Sequence, residues 1–262
     1  MTNSPFRQAI QLQQRSKQDF LWTPDASWFQ GRGVYGGLIF AVVVQSVRAY
    51  TEKPLRRLTV DLCAPVQDEA TTMDVQELRR GLNTVFLRID CKQQGKMVAT
   101  ASAICGLPRL RAFDGHHDRF PTDVQPTGTP IPSHPSMPAF TKHFEYWPAL
   151  GALPFSGATD LYTGGWIRCR EESLLDQALI VALLDAWWPA MCLSMKMPRP
   201  MGTISCTIDF THPPLSETLT APAVLENQCL EIRDGYAIES NLLWSADQIL
   251  LAKSQQSVVI IR

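Results

Sequence analysis

Several common functional classes are excluded by what this sequence lacks. There is no excess of basic charge: 24 lysines and arginines stand against 25 acids, a formal net charge of −1. No basic stripe is therefore available to track a nucleic acid backbone. No apolar run approaches the roughly 18 residues of a membrane-spanning helix, and the opening MTNSPFRQAIQLQQRS has no apolar core of the kind a signal peptide carries. A cytoplasmic protein without a membrane span is the expectation. Seven cysteines, an odd number with no Cys-x-x-Cys pair, argue for free thiols in a reducing compartment. The five histidines form no His-Glu-x-x-His pattern, and four of them (His116, His117, His134 and His143) lie in or beside a proline-rich stretch. Neither a metal ion nor a cofactor is expected on that basis. A G-x-S-x-G elbow is missing too, which removes the usual serine hydrolase.

What is present centres on Glu171 to Pro189, EESLLDQALIVALLDAWWP. The stretch has helix length, acidic residues and Ser173 suited to a cap at its start, and a proline at its end. From Leu174 to Trp188 it is apolar almost all the way round, the mark of a helix enclosed by other structure. Two aspartates interrupt it. Asp176 and Asp185 are nine residues apart and so point in opposite directions; Asp176 is expected to face water and Asp185 the interior. An enclosed carboxylate needs hydrogen-bond partners and has a raised pKa. A purely structural aspartate, satisfied by backbone amides or water, fits the helix alone equally well.

The remainder reads as α+β. Residues 6–14 and 18–22 suggest short strands, the run LIFAVVVQSVRAY a buried helix starting near Gly37, and 55–66, 71–80, 84–93 and 96–106 an antiparallel meander. Residues 107–155 hold nine of the nineteen prolines and suggest a connector with little regular structure. Beyond it the pattern recurs: a strand at 159–170, the central helix, then strands near 203–211, 219–231, 236–244 and 248–261. Gly81 matches Gly235 and Ala99 matches Ala252 at nearly constant offset, which suggests an internal duplication. The expected division is 1–110, a connector at 111–155, and 156–262. One motif is a decoy. Gly31 to Gly36 spells G-x-G-x-x-G, but neither a hydrophobic strand before it nor a βαβ unit around it supports dinucleotide binding.

Ordered short motifs carry a family resemblance. Tyr35-Gly36-Gly37 opens the first helix, Trp166-Ile167-Arg168 precedes the second, and Asp185 falls late in that helix. Thr203-Ile204 opens a strand that runs to Phe210 and His212-Pro213, and Gln256 lies in the last strand. In this order the chain resembles the acyl-CoA thioesterase II family and its thioesterase-like relatives. The resemblance implies a double hotdog, two antiparallel sheets each wrapped around a long central helix. It also implies an acyl-CoA substrate and a homo-oligomer, since hotdog sheets commonly pack back to back. Carried over residue by residue, Asp185 would be the general base or the group polarising a water, and Thr203 and Gln256 would fix that water. Gly36 and Gly37 at the helix start would offer amide donors to the oxyanion or the substrate. Two departures stand out. Ser205 replaces the Asp usual two residues after the Thr, and Gln255 beside Gln256 leaves the register open by one residue. Strand alternation by itself puts Thr203 on the outward face with Ser205, Thr207 and Asp209. The alternatives are a catalytically silent acyl-thioester-binding module and, more remotely, a hotdog hydratase or dehydratase. The latter needs an Asp/His or Glu/His pair, and His212 is the only histidine outside the connector region.

Overall fold

The computed structural model describes the chain except for residues 1–3, 110–114, 116–117, 123, 126–127, 172–173, 212–221 and 262. The first part contains α1 (Pro5–Ala9), β1 (Gln13–Gln14), β2 (Asp19–Trp22), β3 (Phe29–Gln30), β4 (Gly33–Val34), α2 (Gly36–Tyr50), β5 (Leu55–Leu62), β6 (Thr71–Arg80), β7 (Thr84–Gln93) and β8 (Lys96–Gly106). The second contains β9 (Phe144–Gly151), β10 (Tyr162–Cys169), α3 (Gln177–Ala186), β11 (Met201–Phe210), β12 (Ala223–Arg233), β13 (Tyr236–Trp244) and β14 (Leu250–Ile260).

Twelve strands form one antiparallel sheet in the order β1-β2-β6-β7-β8-β5-β11-β14-β13-β12-β10-β9. This corrects the expectation of two sheets. An open strand edge presents unpaired N–H and C=O groups, and β5 and β11 remove two such edges by pairing with each other from Asp61–Ser205 to Arg57–Asp209. Side chains reinforce the seam: Arg57 donates twice to Asp209, and Thr59 meets Thr207.

Each half consists of a helix followed by four strands, arranged in space as second, third, fourth, first. Three β-bulges recur at matching points. They are Leu55/Arg57 with Thr203/Ser205, Glu77/Arg79 with Cys229/Glu231, and Cys91/Lys92 with Leu243/Trp244. Aligned through them, Ala99 and Ala252 are equivalent. Gly81 and Gly235 share a turn but not a position: the pairs Arg79–Phe86 and Glu231–Ile238 are equivalent, which aligns Gly81 with Arg233 and Gly235 with Asn83.

The helices pack on each other and on the sheet. Almost every residue of α3 is buried, as is α2 from Gly36 to Val44, so tertiary packing outweighs the poor helix propensity of the valines in α2. α3 is shorter than the sequence suggests. It ends at Ala186, before the residue preceding Pro189, which is held out of helical geometry. Asp176 caps its start by accepting from the Leu179 N–H at 3.0 Å; Ser173 lies outside the described residues. Asp176 is also buried, not water-facing, because Arg7 and Arg48 both reach its carboxylate. Asp176→Ala removes a cap and takes the shared carboxylate away from Arg7 and Arg48. It is expected to cost about 3 kcal/mol, read as a lowered denaturant midpoint at unchanged slope.

Two further expectations are corrected. Residues 5–9 are helical, started by Ser4 as cap and Pro5 in the first turn. The connector holds β9 at its end, where Pro148 is tolerated because β9 is the edge of the sheet. Finally, Gln177–Ser194 has the length and mean hydropathy (1.4) of a membrane span. It is nonetheless two pieces, α3 and a 3-10 turn at Ala190–Ser194, and 78% of it is buried within the protein.

Candidate active site

Asp185 sits in the last turn of α3, half-buried beside a pocket of about 360 Å³ counted to its open mouth. Three donors converge on its carboxylate. The Gly37 N–H at the start of α2 donates to Oδ2 at 2.6 Å, and Gln256 Nε2 from β14 donates to Oδ1 at 3.0 Å. The Thr203 hydroxyl from β11 reaches Oδ1 at 3.4 Å, long for an O–H donor. Enclosure by protein is the largest influence on this acid and pushes its pKa up to about 7, against the lowering effect of the three donors. The charge of Glu239 adds to the rise.

Strand alternation fails at Thr203 because of the bulge between Thr203 and Ser205, which turns Thr203 to the helix side. Ser205 stays on the other face and donates to the exposed Asp61 at 2.6 Å. The departure from the family pattern at Ser205 therefore lies away from Asp185. Period two settles the other ambiguity: Gln256 is buried and bonded to Asp185, and Gln255 is exposed.

Gly36 and Gly37 let α2 approach closely. A Cβ on Gly36 would come within 2.8 Å of Asp185 Oδ2, and one on Gly37 within 3.0 Å of the Ala182 carbonyl. The Gly37 amide is not a free oxyanion donor, however. The carboxylate lies directly ahead of the helix end, where N–H groups and the helix dipole favour an anion. His212 falls outside the described residues.

The first half has no equivalent site among the described residues. Thr203 and Gln256 correspond to Leu55 and Ala103, and Val44 sits nine residues past the cap Tyr35 as Asp185 does past Asp176. All three counterparts are buried and apolar.

Other residues at the site gave no signal in the sequence. Gln30, Trp187, Pro189, Asn227 and Asn241 also line the pocket. A second carboxylate, Glu239, is fully buried and accepts from the Ala190 and Met191 N–H groups and from Asn227 Nδ2. Period-two alternation along β13 does place Glu239 and Asn241 on one face. Cys206 lies near Asp185, but burial pushes its thiol well up, which leaves it un-ionised and a poor nucleophile.

The sequence matches the acyl-CoA thioesterase N-terminal domain over residues 24–106 and the acyl-CoA thioesterase C-terminal domain over residues 118–260. No protein of curated function matches it. A conserved protein of unknown function with the hotdog fold, from Alicyclobacillus acidocaldarius, superposes with a TM-score of 0.91 at 22% identity, covering 100% of this chain and 99% of that one. A TesB protein of Mycobacterium avium gives 0.81 at 12% identity, and the acyl-CoA thioesterase II TesB2 of Mycobacterium marinum 0.78 at 14%, each with 98% of both chains covered. These likenesses show the hotdog fold. With both domain matches falling in order along one chain, the protein belongs to the acyl-CoA thioesterase family.

Proposed function

We propose that the chain hydrolyses an acyl-CoA thioester to the free acid and coenzyme A, using two hotdog units (1–110 and 156–262, joined by 111–155) and one water-activating site. The observation that carries this is the convergence of Gly37, Thr203 and Gln256 on a single enclosed aspartate at a pocket with room for a water. A carboxylate with a pKa near the working pH is an effective base. Asp185 takes a proton from water as the water oxygen attacks the acyl carbon. The C–S bond then breaks, and the proton passes to the leaving thiolate. Gly37 holds Oδ2 and Gln256 holds Oδ1, each oxygen keeping acceptor capacity for a water, and the loosely bound Thr203 hydroxyl turns to orient it. Gln256 donates to the carboxylate through its nitrogen, and its carbonyl oxygen is a further acceptor for water.

Thiol release from a panel of acyl-CoAs is the direct test. Thr203→Ala is expected to lower kcat about tenfold and Gln256→Leu about a hundredfold, with KM changed less, because both groups act mainly on the attacking water. Wild-type kcat in both variants would remove them from the chemistry.

A further inference from the structure

Asp185 is not the only carboxylate enclosed here. Glu239 in β13 is fully buried, and the strand register sets it directly opposite Gln256 in β14, which donates to Asp185 at 3.0 Å. Residues opposed in this way share a face of the sheet, with Cβ atoms about 5 Å apart. Gln256 therefore has one carboxylate as its bonded partner and the other as its cross-strand neighbour.

The partners of Glu239 suit the ionised acid. Oε1 accepts from the Met191 N–H, and Oε2 accepts from the Ala190 N–H and from Asn227 Nδ2. Three N–H donors spread over both oxygens favour the charged form, against the burial that raises its pKa. Neither Glu239 nor Asp185 makes an ion pair among the described residues. The other titratable groups facing Asp185 are Tyr35 at the start of α2 and Cys206 in β11; those facing Glu239 are Cys192 and Cys229. Burial pushes all four up and leaves them neutral. Glu239 is thus the one charged neighbour of Asp185 among the described residues. A buried charge without a cation is destabilising, and packing does not require one: the first half has buried Leu87 at the matching position. The turn at Ala190–Ser194 needs an acceptor, but a neutral amide oxygen would serve it.

We propose that Glu239 is a positioning residue that acts through its charge: held ionised beside Gln256, it opposes the ionisation of Asp185 and so sets the pH at which Asp185 begins to work as a base. The inference rests on the water-activating role proposed above for Asp185 and adds the group that tunes it.

Glu239→Gln tests this, because it keeps the volume and an oxygen acceptor and removes only the charge. The full chain is assayed for acyl-CoA hydrolysis between about pH 5 and pH 9, and the acid limb of kcat is located in each protein. In the variant the limb is expected to move down by at least about half a pH unit, so that the rate at pH 5, relative to its own plateau, rises about threefold. A residue that only holds the turn would change kcat or KM and leave the limb in place. An unmoved limb, or one moved upward, overturns the inference and leaves the hydrolase reading intact. A second measurement needs neither turnover nor this variant: titration of the carboxyl 13C signals of the wild-type protein, with that of Asp185 assigned through Asp185→Asn. Glu239 is expected to stay ionised throughout the range in which Asp185 titrates, and a Glu239 that keeps its proton beyond Asp185 overturns the inference. If no acyl-CoA is cleaved, the hydrolase reading fails and this titration decides the point about Glu239; it also decides if Glu239→Gln does not fold.

Discussion

Replacing Asp185 with asparagine is expected to lower kcat for thiol release by at least about a hundredfold while raising the melting temperature at pH 8. The loss of rate follows from removing the base at the one place where three donors meet at the pocket. The gain in stability follows from linkage. Enclosure raises the carboxyl pKa from 3.8 in the unfolded chain to about 7 in the folded one. A group raised in this way favours folding fully below its unfolded pKa and loses that contribution as pH climbs through the folded value. By pH 8 the charged carboxylate works against the fold by about 4 kcal/mol at roughly 1.4 kcal/mol per pKa unit. Asparagine has no such charge, but its NH2 must face one of the three donors, which returns about 1–3 kcal/mol. A net gain of about 2 kcal/mol, a few degrees in Tm, remains at pH 8. At pH 5 the wild-type carboxyl is mostly protonated in the fold, and the gap is expected to close. The wild-type rate should accordingly fall tenfold per unit as pH drops below about 7. A variant with unaltered kcat would take Asp185 out of the mechanism. A variant with lower Tm at pH 8 would show that the carboxylate is held comfortably after all.

How much of this was legible beforehand depended on whether the signal was local. Strands β6, β7, β8 and β13 were bounded correctly because polar turns punctuate alternating runs there. The enclosure of Asp185 followed from an apolar surround on one helix. Thr203 was not legible from alternation, since a bulge is a property of two strands in register and leaves no mark in one of them. The burial of Asp176 was missed for a related reason: its partner Arg7 is far away in sequence, in a segment that read as strand until Ser4 and Pro5 are recognised as a helix start. The joining of the halves into one sheet depends on β5 meeting β11, a pairing of two strands that each look complete alone. The role of Glu239 was likewise invisible, because two of its three partners are backbone groups of a turn, which any sequence could supply.

Glu239→Ala is expected to have the opposite effect on stability from Asp185→Asn, a loss of about 4 kcal/mol or more and a fall in Tm of about 10 °C. The carboxylate is fully buried and accepts from the Ala190 N–H at 3.0 Å, the Met191 N–H at 2.9 Å and Asn227 Nδ2 at 3.0 Å. Truncation leaves the Ala190 and Met191 N–H groups without acceptors and Asn227 Nδ2 with the Trp188 carbonyl alone, each lost bond costing about 1–3 kcal/mol when buried, less whatever a water entering the vacated space recovers. Leucine at this position should do no better, although Leu87 occupies the matching place in the first half. It fills the volume but supplies no acceptor to the turn at Ala190–Ser194. Glutamine keeps one oxygen and should fall between wild type and alanine. The same turn follows directly on Trp187 and Pro189, which line the pocket, so KM is expected to rise in the alanine variant even in the fraction that folds. Urea unfolding of the three variants separates the possibilities: a graded loss in the order Gln, then Leu and Ala together, identifies Glu239 as the acceptor that holds the wall of the pocket. Wild-type stability in the leucine variant would mean that this turn keeps its place without the carboxylate and that burial of the charge brings the fold nothing.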